Sequence, residues 1–205
     1  VKRRKIKVTV LEIDKRFIDD LKEDFSHYKY VEIVQGDVLQ WMPALKTRKP
    51  FKVIGSLPYY ITSPILHSIV RHKGNLTTAV LLIQKEVAQK IAAKAPKASY
   101  LSTYLQTYYE VEILEIVPKN LFKPQPKVDG AVVKLTKRKK RAISIKEALG
   151  YEEFLHKGFS KPRKMLNKVF SKEFLQELET DEKLRPQHIE MEKWVELYLK
   201  SKSKK

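Results

Sequence analysis

The chain has no cysteine, only six glycines and two tryptophans in 205 residues, and far fewer acidic than basic side chains. Without cysteine there is no disulfide framework and no thiolate metal site, a composition that suits a reducing compartment and leads us to expect a cytoplasmic protein. No apolar run nears the roughly 20 residues of a membrane-spanning helix. No signal peptide is visible, because Val1-Lys2-Arg3-Arg4-Lys5 leads straight into a strand pattern. The absence of an initial Met at a strand leads us to expect that the natural protein begins earlier. The shortage of acid leaves 42 basic against 24 acidic residues, a formal net charge of +18. The surplus is concentrated late: the chain from Lys119 onward carries a net +11 and residues 1–118 a net +7. Such a surplus speaks of partners rather than fold and favours a polyanion, with nucleic acid the default and a membrane surface the rival.

Hydrophobic periodicity divides the chain into alternating elements. Ile6 to Ile13 alternates as a strand, and Arg16 to Phe25 carries Phe17, Ile18, Leu21 and Phe25 at helical spacing. Val31 to Val34 reads as a strand, residues 40–50 as a loop or short helix with Trp41, and Phe51 to Ile54 as a third strand. Pro64 to Arg71, Lys85 to Lys94 and Tyr100 to Tyr109 read as helices. Ala79 to Gln84, Glu110 to Val117 and Ala131 to Leu135 read as strands. This rhythm predicts an α/β fold built on a parallel, doubly wound sheet. After the run Lys137-Arg138-Lys139-Lys140-Arg141 only helical patterns follow: Tyr151 to Phe159, Pro162 to Phe170, Lys172 to Leu178 and Glu192 to Leu199, with a turn at Arg185-Pro186-Gln187 and a frayed tail from Lys200. The boundaries expected are 1–136 for the α/β domain and 142–205 for a small all-helical one.

The stretch from Val53 to Leu66 carries the densest chemistry. A strand breaks at Gly55-Ser56, a turn follows with Pro58 between Leu57 and Tyr59-Tyr60, and a helix restarts with Thr62 or Ser63 as N-cap and Pro64 in its first turn. A turn there lies at the carboxyl edge of the sheet, where open α/β folds bind ligands. Pro58 and Pro64 could equally shape a connecting loop whose underside Tyr59 and Tyr60 fill. Glu12 and Asp37 stand at the ends of the two preceding strands. A carboxylate accepts two hydroxyl hydrogen bonds and suits a ribose diol, and Asp37 can accept from an exocyclic amine. Taken singly, Glu12 fits a solvated strand end and Asp37 an Asx turn; their recurrence on consecutive strand ends favours a site. His27, His67, His72, His156 and His188 show no metal spacing, and Trp41 and Trp194 read as packing residues.

Five motifs then occur in order: Glu-Ile-Asp at 12–14, Gly-Asp-Val-Leu at 36–39, Ser-Leu-Pro-Tyr-Tyr-Ile-Thr-Ser-Pro-Ile-Leu at 56–66, Gln-Lys-Glu-Val-Ala at 84–88, and Phe-Lys-Pro-Gln-Pro-Lys-Val-Asp-Gly-Ala-Val-Val at 122–133. Together they resemble the ribosomal RNA adenine N6,N6-dimethyltransferases of the small subunit, and Phe159 to Asn167 resembles the start of that family's C-terminal helical domain. The resemblance implies a Rossmann-like methyltransferase sheet, S-adenosylmethionine as methyl donor and no metal. Glu12, with Ile13 beside it, would hold the donor's ribose, and Asp37 with Val38 its adenine. Ser56 would border both donor and target. The turn Ser56-Leu57-Pro58-Tyr59 would receive the target adenine, with Tyr59 stacked on one face and Phe122 closing the other. Lys127, the run Lys137, Arg138, Lys139, Lys140 and Arg141, and the cluster Lys161, Arg163, Lys164 and Lys168 would meet RNA phosphates. The implied partner is ribosomal RNA in a small-subunit precursor, met by a monomer away from any membrane.

The chain departs from the family in two places. Ser56 stands where the family usually has Asn or Asp, and the Gly-rich loop after the first strand, which wraps the donor's methionine end, is not in the sequence. A large-subunit methylase of the macrolide-resistance type shares the motifs, and a non-catalytic RNA-binding assembly factor could keep the fold.

Overall fold

The computed structural model describes residues 6–203. The expectations for Val1 to Lys5 and for the last two lysines of the tail lie outside the described residues. Two compact units follow one another, the first ending at Thr47 and the second starting at Arg48.

In the first unit β1 (Val8–Glu12) and β2 (Val31–Gln35) pair in parallel, with Val8 opposite Val31 and Glu12 opposite Gln35. Their β-branched residues suit a pleated, half-buried surface. The crossover between them is α1 (Ile18–Asp24), entered through a 3-10 turn at Lys15–Phe17. Asp14 caps that turn: its carboxylate accepts three bonds from the Arg16 guanidinium and the Arg16 N–H at 2.9 Å, which together hold its pKa at about 2. α2 (Val38–Ala44) follows β2 and carries Trp41 in the segment expected as a loop or short helix.

The second unit holds β3 (Phe51–Ser56), β4 (Leu76–Gln84), β5 (Tyr109–Val117) and β6 (Gly130–Lys137) in the order β3-β4-β6-β5. β3 and β4 are parallel, but β6 runs antiparallel to both β4 and β5. The expectation of an all-parallel sheet is therefore corrected at its last strands. Between β5 and β6 the chain forms only a 3-10 turn, Lys119–Leu121. A parallel return needs a crossover of a dozen or more residues, usually a helix; here the chain turns back beside the strand it has just left. β4 buries Leu76, Ala79, Leu81 and Ile83 at the centre of the sheet.

Helices α3 (Thr62–Arg71), α4 (Lys85–Ala92) and α5 (Tyr100–Tyr108) surround this sheet. α5 is buried on every side from Leu101 to Tyr108, because α3, α4, α6 (Ala148–Gly158) and α8 (Met191–Ser203) all pack against it. Its lack of an amphipathic stripe follows from that position. α6 and α8 also pack on each other: a Cβ on Gly158 would come within 2.4 Å of the fully buried Trp194 ring, so only glycine allows this approach.

Two expectations for the helical region are corrected. Pro162 to Phe170 is a series of turns with one 3-10 turn at Leu166–Lys168, not a helix. Leu166 N–H donates to the Leu184 carbonyl at 2.8 Å and Asn167 N–H to the Glu182 carbonyl at 3.2 Å, so donors that a helix would satisfy internally bond elsewhere. The tail does not fray at Lys200, because Ser201 Oγ donates to the Tyr198 carbonyl, Lys200 reaches Glu177 at 3.7 Å and Lys202 pairs with Glu147. α7 (Lys172–Gln176) is the short helix between these segments.

A buried carboxylate ties α6 to α3 and α5. Glu152, 5% exposed, accepts from Arg71 Nη2 at 2.6 Å and from Tyr100 Oη at 2.9 Å. His67 Nδ1 lies 3.2 Å from it and His156 Nε2 3.9 Å, and the His156 ring stacks on Tyr100 with centroids 3.9 Å apart. Burial alone would raise the Glu152 pKa; His67, Arg71 and Tyr100 outweigh it and hold the group at about 2. Because the folded value lies below the ordinary 4.5, the tie stabilises the fold above that pH, and its contribution fades as pH falls from about 4.5 through about 2. Glu152→Gln is expected to lower stability near neutral pH by about 1–3 kcal/mol. In urea unfolding the gap between wild type and variant should narrow as the pH is lowered toward 2; a gap independent of pH would contradict the tie.

Candidate functional site

Glu12 and Asp37 meet at one edge of the first unit. Glu12 ends β1, and its carbonyl accepts the N–H of Gly36, the residue after β2, at 2.9 Å. Glu12 Oε1 accepts the Asp14 N–H at 2.8 Å, and Asp37 caps α2 by accepting the Leu39 N–H on Oδ1 at 2.8 Å. Asp37 therefore does make the local turn that its sequence context allows. Each carboxylate commits one of its two oxygens to the backbone, which fixes its direction and leaves acceptor capacity for a ligand. Ile13 is exposed beside Glu12, and Val38 is half-buried beside Asp37. Two oriented carboxylates on neighbouring strand ends can accept further hydrogen bonds from hydroxyl or amine donors.

In the second unit the turn after β3 is built on β4. Gly55-Ser56 is not a break, as expected from sequence, but the end of the strand, with Ser56 opposite Leu82. Leu57 N–H donates to the Leu82 carbonyl at 3.0 Å and carries the ladder one residue further. Pro58 then opens a 3-10 turn over Tyr59–Ile61 that runs into α3. The N-cap expected at Thr62 or Ser63 is thus replaced by this turn: Thr62 is already the first helical residue, and its hydroxyl donates to the Pro58 carbonyl at 3.3 Å. That carbonyl also accepts the Ile61 N–H at 3.2 Å. The turn leaves Tyr59 38% and Tyr60 83% exposed, so neither ring serves as the filling of a loop's underside.

Phe122 reaches the same end of β4 from the other side. A Cβ on Gly130 would lie 3.0 Å from Phe122 Cζ and 3.1 Å from Leu82 Cδ1, so glycine lets the ring rest against the start of β6. Leu82 thus holds the Ser56 turn through its carbonyl, while its side chain and the Phe122 ring both close on Gly130. The approach segment is anchored by Asp129, whose carboxylate accepts the Lys119 N–H at 3.2 Å and pairs with Lys85 Nζ at 3.3 Å, while its carbonyl accepts the Lys85 N–H at 3.0 Å. The Lys119 N–H first, and then Lys85, hold the Asp129 pKa below the ordinary carboxylate range. This anchor was not recognised from sequence, although Lys85 and Asp129 sit in two of the quoted motifs; a lysine in one and an aspartate in the other was the available signal.

The basic residues divide by position. Lys127, Lys139, Lys140, Arg141, Lys161, Arg163, Lys164 and Lys168 are exposed. Lys137 and Arg138 are half-buried and bonded within the protein: Lys137 Nζ donates to Asn75 Oδ1 at 3.1 Å and Arg138 Nε to the Gln106 carbonyl at 2.7 Å. Burial, and then the nearby Arg141 charge, lower the Lys137 pKa. Among the described residues no group of three or more histidines or carboxylates could hold a metal ion, and no helix is long and apolar enough to cross a membrane.

Residues 1–202 match the model of the family described as ribosomal RNA adenine dimethylase. A relative from Bacillus licheniformis, named ribosomal RNA small subunit methyltransferase A, is 36% identical over 172 residues, which cover 80% of this chain and 59% of that protein. The chain thus spans less than two thirds of that relative's length. Among solved structures, a dimethyladenosine transferase from Plasmodium falciparum superposes with a TM-score of 0.77 at 24% identity, covering 97% of this chain and 82% of that one. The 23S rRNA methyltransferase ErmE superposes with a TM-score of 0.72 at 25% identity, covering 94% and 81%. The α/β sheet with a helical C-terminal part is shared with both.

Removing the anchor should loosen the loop without unfolding the protein. In Asp129→Ala the amides from Lys119 to Phe122 are expected to exchange with deuterium several-fold faster, with little change in the thermal midpoint. Unchanged exchange would show that the loop is held by other contacts.

Proposed function

The chain belongs to the ribosomal RNA adenine dimethylase family, and from that premise we propose that it transfers methyl groups from S-adenosylmethionine to the N6 atoms of adenines in small-subunit ribosomal RNA. The observation that carries the proposal is the convergence of the Ser56 turn and Phe122 on the same end of β4. S-adenosylmethionine supplies an electrophilic methyl group on its sulfonium. Glu12 and Asp37 are the residues that would hold its nucleoside part, because their carboxylates share one sheet edge and keep acceptor capacity.

The N6 amine is a poor nucleophile, since its lone pair is delocalised into the purine ring. Hydrogen-bond acceptors on its two N–H groups favour a more tetrahedral nitrogen. The Pro58 carbonyl is occupied by Ile61 and Thr62, so this work falls to the carbonyls of Ser56 and Leu57 and to the Ser56 hydroxyl. Tyr59 and Phe122 would stack on the two faces of the base. Most of the acceleration then comes from positioning and electrostatics, and no strong general base is needed, because the alkylated nitrogen is acidic. A base paired in a duplex cannot enter such a site, so the target adenine is unpaired or flipped.

The helical segment 142–205 and the exposed cations are proposed to bind RNA by neutralising phosphates, with affinity falling steeply as salt rises. Lys139, Lys140 and Arg141 carry this role for the basic run, because Lys137 and Arg138 are engaged within the protein. The 36% identity to a small-subunit methyltransferase favours an immature small subunit as substrate. Likeness to ErmE makes the large subunit the second reading.

The deciding experiment measures methyl transfer from labelled donor to immature small subunits, large subunits and naked RNA. Labelling of the small subunit is expected; labelling of the large subunit alone would favour the second reading, and none at all a binding role. Tyr59→Ala and Phe122→Ala should each lose roughly 5- to 150-fold in rate, as stacking worth about 1–3 kcal/mol implies, with little loss of RNA affinity. Normal methylation by either variant would remove the stacking role. Ser56→Asn should match or exceed wild type, since an amide is the better planar acceptor, while Ser56→Ala should be slower; a fully active Ser56→Ala would take the hydroxyl out of the mechanism.

A further inference from the structure

The helical part of the second unit holds a cleft of about 730 Å³ that the adenine chemistry does not use. Its walls are aromatic: Phe154 from α6, Phe170 just before α7, Phe174 within α7, and Tyr198 from α8. The rings form one connected set, with centroids 5.3 Å apart for Phe154 and Phe170, 5.6 Å for Phe170 and Phe174, and 5.7 Å for Phe154 and Tyr198. Core rings normally lose both faces to neighbours; Phe154 and Phe174 are only half-buried and present surface to the cleft.

Cations stand beside these rings. Lys157 is exposed, with its ammonium 5.6 Å from the centroid of Phe170. Lys202 lies 5.9 Å from the centroid of Tyr198 and pairs with Glu147. Glu153 is the acidic group on the lining. The wall at Val169 to Ser171 directly continues the loop that carries the exposed Lys161, Arg163, Lys164 and Lys168.

We infer that this cleft binds one unpaired nucleotide of the RNA, its base stacked on the phenyl rings and its phosphate on Lys157. The inference rests on the reading that the chain binds RNA and adds a second nucleotide site remote from the Ser56 turn in the sequence. The volume falls within the roughly 300–1,000 Å³ of small-ligand sites. Every base has a π-face, so aromatic platforms beside cations take single strands with little sequence preference. An aliphatic helix would bury the apolar walls but gain nothing from the cations at their rim. A duplex offers the phosphates but no free base, so the chemistry of the cleft selects a single strand.

The test compares the affinity of the full chain for a short unstructured oligoribonucleotide and for a duplex of equal length. The single strand is expected to bind about tenfold more tightly. Ser201→Phe, which fills the cleft at the cost of the Ser201–Tyr198 bond near the end of α8, should abolish that preference while leaving the protein folded and duplex binding near that of wild type. Lys157→Glu, at an exposed site that does not endanger folding, should also weaken the single strand about tenfold. If both variants bind the single strand like wild type, the cleft is not a nucleotide site, although the RNA reading stands. If Tyr59→Ala alone removes the preference, it belongs to the catalytic turn and the cleft proposal is again overturned. If wild type binds neither RNA, the RNA reading itself falls and takes this one with it.

Discussion

The part of the candidate site that lies in the second unit depends on a strand hydrogen-bonded on both edges. β4 pairs in parallel with β3 and in antiparallel with β6, and its alternate residues are buried in the sheet. A shift of one residue in either pairing would turn a whole face of side chains the wrong way, so the register is strongly specified. That register places Ser56 opposite Leu82 and Gly130 opposite Gln84. The turn after β3 and the ring of Phe122 therefore meet at one end of β4 as a consequence of backbone pairing. No contact between the turn and the ring is needed to bring them there.

The protein carries its charge in two ways. Most cations are exposed, where water solvates them and a polyanion can reach them. A few are engaged by groups of the fold itself: Arg71 reaches in from the surface to the buried Glu152, Arg138 bonds the end of α5, and Lys85 anchors Asp129. Glu152 ties three helices because α3 supplies His67 and Arg71, α5 supplies Tyr100, and α6 supplies the carboxylate itself. Removing a carboxylate's partners in a buried place leaves its desolvation uncompensated, so such ties are cooperative. The helices beyond the basic run are joined to α5 by this polar cluster as well as by packing.

Much of the chain was legible because local signals agreed. β-branched alternation marked β1, helical spacing marked α4, and the Gly-Asp pair marked the strand end before α2. The misreadings share one cause. Pro162 to Phe170 has helical spacing, yet its backbone bonds reach residues 182–184, which no window of neighbouring residues contains. The direction of β6 depended on how residues 118–129 return, and strand propensity is the same for either direction. The basic run looked uniform, but burial near Asn75 and Gln106 separated its first two residues from the next three.

Sequence by itself determined the alternation of strands and helices, the concentration of positive charge after Lys119, and the motif residues at each strand end. These follow from side-chain periodicity and composition, which act over a few residues. Only the tertiary structure decided the antiparallel course of β6, the anchoring of the Phe122 approach by Asp129 and Lys85, and which cations remain free. The aromatic cleft among α6, α7 and α8 belongs to the same class, since its rings come from residues more than forty positions apart. Such features exist only once distant segments share a surface, because burial and hydrogen-bond geometry are properties of the packed chain rather than of any one stretch of it.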